Sequence, residues 1–123
     1  MTIPSDYPLL EIPDLGAWRE WLRQHHDRQA GVWLVYFKPH TRRPTLSYGA
    51  SVEEALCFGW VDNLIRKLDE DRYARRFTPR KPDSNWSASN CRRVERLIEA
   101  GRMTEHGLAL VEAARRSGRW HDR

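Results

Sequence analysis

The run Ser51-Val-Glu-Glu-Ala-Leu-Cys-Phe-Gly-Trp-Val-Asp62, taken on to Thr78-Pro-Arg-Lys-Pro-Asp-Ser-Asn-Trp-Ser-Ala-Ser-Asn90, decides how the chain is read. Ser51 and Glu54 have the spacing of a capping box, in which the two side chains satisfy free backbone N–H groups at a helix start. A short helix is therefore expected to begin there and to end at Gly59. Trp60 to Leu68 then reads as a strand, Asp69-Glu70-Asp71 as a turn, and Arg72 to Thr78 as the returning strand. In that second strand Tyr73, Arg75 and Phe77 fall on one face, and Ala74, Arg76 and Thr78 on the other. Pro79 and Pro82 close the hairpin and open a loop.

Upstream, Asp14 is a helix N-cap, and Leu15, Trp18, Trp21 and Leu22 follow at helical spacing, so this helix has one apolar face. It fades near His26–Gln29, before Gly31. Val32-Trp33-Leu34-Val35-Tyr36-Phe37 is short, unbroken and β-rich, and is bounded by Gly31 and Pro39. A strand covered on both faces is the expectation. Residues 39–47 form a loop, and residues 1–13, with three prolines, an extended arm. Downstream, a helix from Ala88 to Ala100 puts Cys91, Val94, Leu97 and Ile98 on one side. Gly101 stops it, and Thr104 caps a last helix carrying Leu108, Val111 and Ala113 or Ala114, which ends at Gly118. These two helices form an αα-hairpin.

The order helix, strand, helix, hairpin, helix, helix predicts an α+β domain over residues 14–123, with a small, mostly antiparallel sheet packed against helices. A chain of 123 residues fits one domain and can bury a core without metal or disulfide staples. Its two cysteines, Cys57 and Cys91, make no disulfide framework. No run is long enough to span a bilayer. Met1–Pro8 has neither a basic nor an apolar targeting segment, and the expected location is the cytoplasm. The formal net charge of +4 leans toward an anionic partner.

Several strings resemble the YdeI/OmpD-associated family, also labelled bacteriocin-protection. They are Gly31-Val-Trp-Leu-Val, Leu46-Ser-Tyr48, Glu53-Glu-Ala-Leu-Cys-Phe-Gly-Trp60-Val-Asp62, Thr78-Pro-Arg-Lys81, Ser84-Asn-Trp-Ser87 with Asn90, and Gly101-Arg-Met103 leading to Gly118-Arg-Trp120. The likeness covers roughly residues 15–120. It implies a role in protection against bacteriocins or antimicrobial peptides, and no defined chemistry.

The residues themselves point to a binding site at Trp60, Asp62, Arg80, Trp86, Ser87 and Asn90. Asp62 enters an apolar strand and needs a partner, with an arginine salt bridge as its structural explanation. Arg80 offers a planar fork, and a helix start at Ser87–Asn90 offers backbone N–H groups to an anion. The structural reading of the same residues is that Ser87 or Ser89 caps the helix and Trp86 fills the core. Cys57, among Leu56, Phe58 and Trp60 with no nearby histidine, reads as a buried structural thiol rather than a nucleophile. Glu54 is explained by capping, and Glu53 by solvation. The five histidines lack ligand spacing, and no nucleotide, metal or serine-hydrolase motif occurs, so no cofactor is expected.

The expectation is thus a small anionic or polar ligand in a pocket between the second helix, the hairpin and the loop at Arg80–Asn90. The alternative is a nucleic-acid or protein-binding module using Arg92, Arg93, Arg96, Arg102, Arg115 and Arg116. The poor groove-reading start Glu105-His106-Gly107 argues against it.

Overall fold

Six consecutive β-prone apolar residues between Gly31 and Lys38 form the central strand β2 (Val32–Phe37), and every one of them is buried. The computed structural model describes residues 7–120. Around β2 the elements run in the order β1 (Leu9–Leu10), α1 (Leu15–His25), β2, α2 (Tyr48–Cys57), β3 (Trp60–Lys67), β4 (Arg72–Pro79), α3 (Ala88–Glu99) and α4 (Glu105–Ser117). A single 3₁₀ turn at Pro39–Thr41 opens the loop before α2. The sheet order is β1-β2-β4-β3; β1 runs parallel to β2, and the other neighbours are antiparallel. The molecule is an α+β fold, as the segregation of strands and helices predicts.

Residues 1–6 of the expected arm lie outside the described residues. The rest of the arm is tied down: Leu9 and Leu10 pair with Trp33 and Leu34 and add an edge strand that was not anticipated.

Cross-strand partners share a face of a sheet, so the register sorts the side chains. Val32, Leu34 and Tyr36 lie with Phe77, Arg75 and Tyr73 on one face. This face carries the main core, where Trp18 and Leu22 of α1, Leu56 of α2 and Val94 and Leu97 of α3 close over the strands. The opposite face holds Trp33, Val35, Phe37 and Ala74, all buried and all outside that cluster. Arginines help to cover it: Arg43 stands 4.1 Å over the Phe37 ring, and Arg76 6.0 Å from those of Trp33 and Tyr7. Their aliphatic stems shield apolar surface while the guanidinium groups reach water.

β3 departs from simple alternation. Trp60 and Asp62 pair with Pro79 and Phe77, but beyond a bulge between Asp62 and Leu64 it is Ile65 and Lys67 that pair with Arg75 and Tyr73. One extra residue shifts the pleat by one, so even positions before the bulge and odd positions after it share the helix-covered face. Asn63 turns the other way: its Nδ2 donates to Thr78 Oγ1 (2.7 Å) and its Oδ1 accepts from Arg76 Nε (2.6 Å).

The capping box at Ser51 and Glu54 is a correction. The N-cap of α2 is Ser47, whose Oγ accepts from the Ala50 N–H at 3.2 Å. Ser51 sits a turn later, donates to the Tyr48 carbonyl (2.8 Å) and accepts from the Tyr36 hydroxyl (2.6 Å). Ser47 offers the same capping oxygen four residues earlier, and starting there lengthens the helix and buries Ser51 against β2. The other caps follow expectation: Asp14 accepts from Ala17 N–H, Ser87 from Asn90 N–H and Thr104 from Gly107 N–H.

Two glycines fix how the helices meet. Gly59, at φ +77°, carries the chain out of α2, and a side chain there would strike Leu110. Gly107, in the first turn of α4, lies against the Cys57 carbonyl, where any Cβ would collide with the oxygen. That carbonyl accepts from the Thr104 N–H (3.0 Å) and the Thr104 hydroxyl (2.6 Å). The chain ends in two consecutive helices, α3 and α4, both resting on α2.

Candidate functional site

The helices cover only one end of their face of the sheet. Trp60 is fully buried, whereas Asn63 to Lys67 are exposed. Beyond the helices lies a cleft of about 500 Å³ lined by Lys38, Ile65, Lys67, Tyr73 and Arg75. That volume is in the range of small-molecule sites. Its residues come from three strands: Lys38 follows β2, Ile65 and Lys67 lie past the bulge on β3, and Tyr73 and Arg75 are their partners on β4.

The wall is aromatic and the rim cationic. Tyr73 stacks on Tyr36, with ring centres 5.2 Å apart and planes 10° from parallel. The Arg75 guanidinium lies 4.2 Å from the Tyr48 ring centre and 5.9 Å from those of Tyr36 and Tyr73. Its nearest carboxylate oxygen, on Asp62, is 3.9 Å away, and its Nε is buried with no hydrogen-bond partner. Lys67 reaches Glu70 only at 3.7 Å. These cations keep donor capacity that neighbouring acids leave unused, and the rings give a flat group somewhere to lie. Burial, reinforced by the charge of Asp62, pushes the Tyr48 hydroxyl above its ordinary range, so it stays protonated.

Of the residues expected to form the site, only Asp62 touches this cleft, through Arg75. Trp60 is a core residue whose ring meets Trp21 edge-on and whose Nε1 donates to the His26 carbonyl (3.2 Å). Trp86 is buried beside Trp120, with ring centres 5.2 Å apart. The Arg80 guanidinium stacks 3.9 Å over Trp86, and its Nη1 donates to Ser84 Oγ (3.1 Å) and the Asn85 carbonyl (3.2 Å). Arg80 is only 8% exposed, and burial pulls its pKa down. It works as a clamp on the loop after β4. Ser87 caps α3, and the Asn90 backbone N–H donates to it at 3.1 Å. Arg80, Trp86, Ser87 and Asn90 thus make one local structure, away from the cleft, and each has a structural role.

A second polar centre was also missed. Glu54 is 2% exposed, yet it accepts from Arg19 of α1 and from Arg102 Nη2 (2.7 Å) after α3. Glu53 beside it contacts Arg93 (3.2 Å) and Arg96 (3.6 Å). Cys57 lies one turn after Glu53 and Glu54, fully buried, and desolvation followed by the Glu54 charge raises its thiol pKa. Both effects disfavour the thiolate that a nucleophile needs. This centre holds α1, α2 and the α3–α4 connection together. Among the described residues no group of three His, Cys, Asp or Glu is placed to hold a metal ion, and no helix is long and apolar enough to cross a membrane.

The signal for the cleft was partly available. The alternation of β4 puts Tyr73 and Arg75 on the Phe77 face, and Lys67 stands at the hairpin end. The bulge hid their meeting with Ile65.

No curated protein and no solved structure matches the chain. A family model does, over residues 10–110, a span that runs from β1 into α4 and takes in every residue of the cleft. The chain belongs to the family described as a domain of unknown function (DUF8412).

Proposed function

We propose that this protein binds a small anionic ligand with a flat apolar part in the cleft between Lys38, Lys67 and Arg75, with Tyr73 as its stacking surface. The observation that carries the reading is Arg75: a guanidinium ringed by three tyrosines, with its nearest carboxylate oxygen at 3.9 Å and its side chain still 24% exposed. A carboxylate or phosphate entering the cleft would accept from the exposed part of that guanidinium, and its hydrogen bonds to cations would be of the strong, charge-assisted kind. Asp62 and Tyr48 hold Arg75 from behind. The resemblance to the YdeI/OmpD-associated family adds a setting, protection against bacteriocins or antimicrobial peptides.

The nucleic-acid alternative has no observation in its favour. Arg93, Arg96 and Arg102 face Glu53 and Glu54, and Arg115 stacks on Trp120, while Arg92 and Arg116 stay exposed. Few of these charges are left for phosphates.

The test is a thermal-shift titration with phenyl phosphate and 4-hydroxybenzoate, using phenol as the uncharged control. A ligand at 100 times its Kd stabilises by about 2.7 kcal/mol. Stabilisation by the anions alone, lost in Lys67→Ala and Lys38→Ala, supports the reading. Equal response to phenol, or an unchanged response in both variants, refutes it.

A further inference from the structure

The cleft lies on the sheet face that β3, the last strand of the sheet, shares with β4 and the end of β2. Among the described residues β3 pairs only with β4, so its other edge is open. An open edge offers a row of N–H and C=O groups to another extended chain. Past the bulge, Leu64, Ile65, Arg66 and Lys67 are all exposed, Ile65 by 54% and Leu64 by 42%. Ile65 and Lys67 share the cleft face, and Leu64 and Arg66 share the other. Each face of this edge therefore shows one apolar residue followed by one cation.

We infer that the edge of β3 accepts an extended, acidic segment of another polypeptide by strand addition, and that a carboxylate side chain of that segment is the anion held in the cleft. This rests on the cleft reading given above and names the class of molecule that supplies the anion. The argument is charge complementarity in register. Antiparallel pairing sets opposite residues side by side, and opposite charges there stabilise while like charges oppose. A partner strand lying antiparallel to Leu64–Lys67 needs acids against Lys67 and Arg66, then apolar residues against Ile65 and Leu64. Its sequence is acid-acid-apolar-apolar. Side chains alternate, so one acid falls on the cleft face beside Lys67, in line with Tyr73 across β3, and the other lies beside Arg66 on the far face.

A second copy of the chain does not meet this need. Pairing Leu64–Lys67 with itself antiparallel sets Lys67 against Leu64 and Arg66 against Ile65, which leaves four cations close together and no acids. The bulge between Asp62 and Leu64 breaks the regular pleat of β3 before Asp62 is reached.

The experiment uses a fluorescein-labelled, end-capped peptide containing Glu-Glu-Val-Val, a Lys-Lys-Val-Val control, and a Glu-Glu-Pro-Val control that keeps the charge but loses a strand N–H. Fluorescence anisotropy reads binding, and hydrogen exchange reads the amides of residues 64–67. The acidic peptide is expected to bind at least tenfold more tightly than either control and to slow exchange at β3. Arg66→Glu/Lys67→Glu, at two exposed positions, is expected to reverse the charge preference. Equal binding of the proline control, or unaltered β3 exchange, overturns strand addition. If phenyl phosphate still binds in that case, the cleft reading survives and only the peptide inference fails; loss of both removes both. Sedimentation as a dimer with β3 amides already protected assigns the edge to a second copy and also overturns the inference.

Discussion

Replacing Glu54 by glutamine tests whether the centre that joins α1, α2 and the α3–α4 connection behaves as a buried ion pair. The substitution keeps the shape and one acceptor but removes the charge that Arg19 and Arg102 share. Breaking a fully buried pair by deleting one partner costs about 3–5 kcal/mol. Here the carboxylate is buried, but the Arg19 and Arg102 side chains are 41% and 37% exposed. Both can rehydrate when their partner goes, so the expected loss falls to about 2–3 kcal/mol. With an unfolding entropy of about 2.1 cal/mol/K per residue, this chain should melt about 8–12 °C lower. Calorimetry and urea unfolding measure it. Glu53→Gln is the control: that carboxylate is more exposed, and its loss should cost under about 1 kcal/mol. In 1 M salt, where screening acts within about 3 Å, the Glu54→Gln difference should persist. A loss below about 0.5 kcal/mol, or one that disappears in salt, would falsify the view of Glu54 as a desolvated junction.

Cys57 should react slowly with a thiol reagent at neutral pH in the folded protein and at full rate in urea; fast native labelling would reopen its role as a nucleophile. Trp86→Ala should cost about 3–5 kcal/mol, because it empties a buried site and strips Arg80 of its stacking partner, while Asn90→Ala should change stability little, since only its backbone is seen to serve the cap. Equal losses in chemical denaturation would contradict that division. Burial raises the Tyr36 phenol above 10.0 and the Cys57 thiol above 9.0, so the unfolded chain loses these protons first and stability should fall as pH climbs past about 9. Tyr36→Phe should flatten the decline in melting temperature between pH 8 and 10.5, and an equally steep decline in that variant would count against burial as its source.

Much of the fold was legible because its signals are local. Gly31 and Pro39 bracket β2, Asp14 and Thr104 cap their helices, and Gly59, Gly101 and Gly118 end theirs at positive φ. What was hidden depends on pairing between distant segments. Ser47 and Ser51 both satisfy the local rule for a helix start, and only the Tyr36 hydroxyl, from β2, decides between them. The two-residue β1 exists because β2 has a free side to pair with. The bulge at Asp62–Leu64 is a property of two strands together, so Ile65 and Lys67 could not be assigned to the face of Tyr73 and Arg75 from β3 alone. The expected grouping of Trp60, Asp62, Arg80 and Trp86 is a core feature rather than a pocket: Trp60 and Trp86 share the main core, Arg80 stacks on Trp86 within reach of the Asp62 charge, and only Asp62 leans toward the cleft.

The meeting of α2 and α4 at Gly107 also bears on how the molecule comes together. The last turn of α2 presents its carbonyl Cys57 to the first turn of α4, and Thr104 answers with two donors. The negative end of one helix thus meets the positive end of the other. One terminal carbonyl of α2 and one terminal N–H of α4 are satisfied by each other rather than by water. The contact therefore ties the two helices to each other: a side chain at residue 107 would push the start of α4 off the Cys57 carbonyl and leave the end of α2 without its partner.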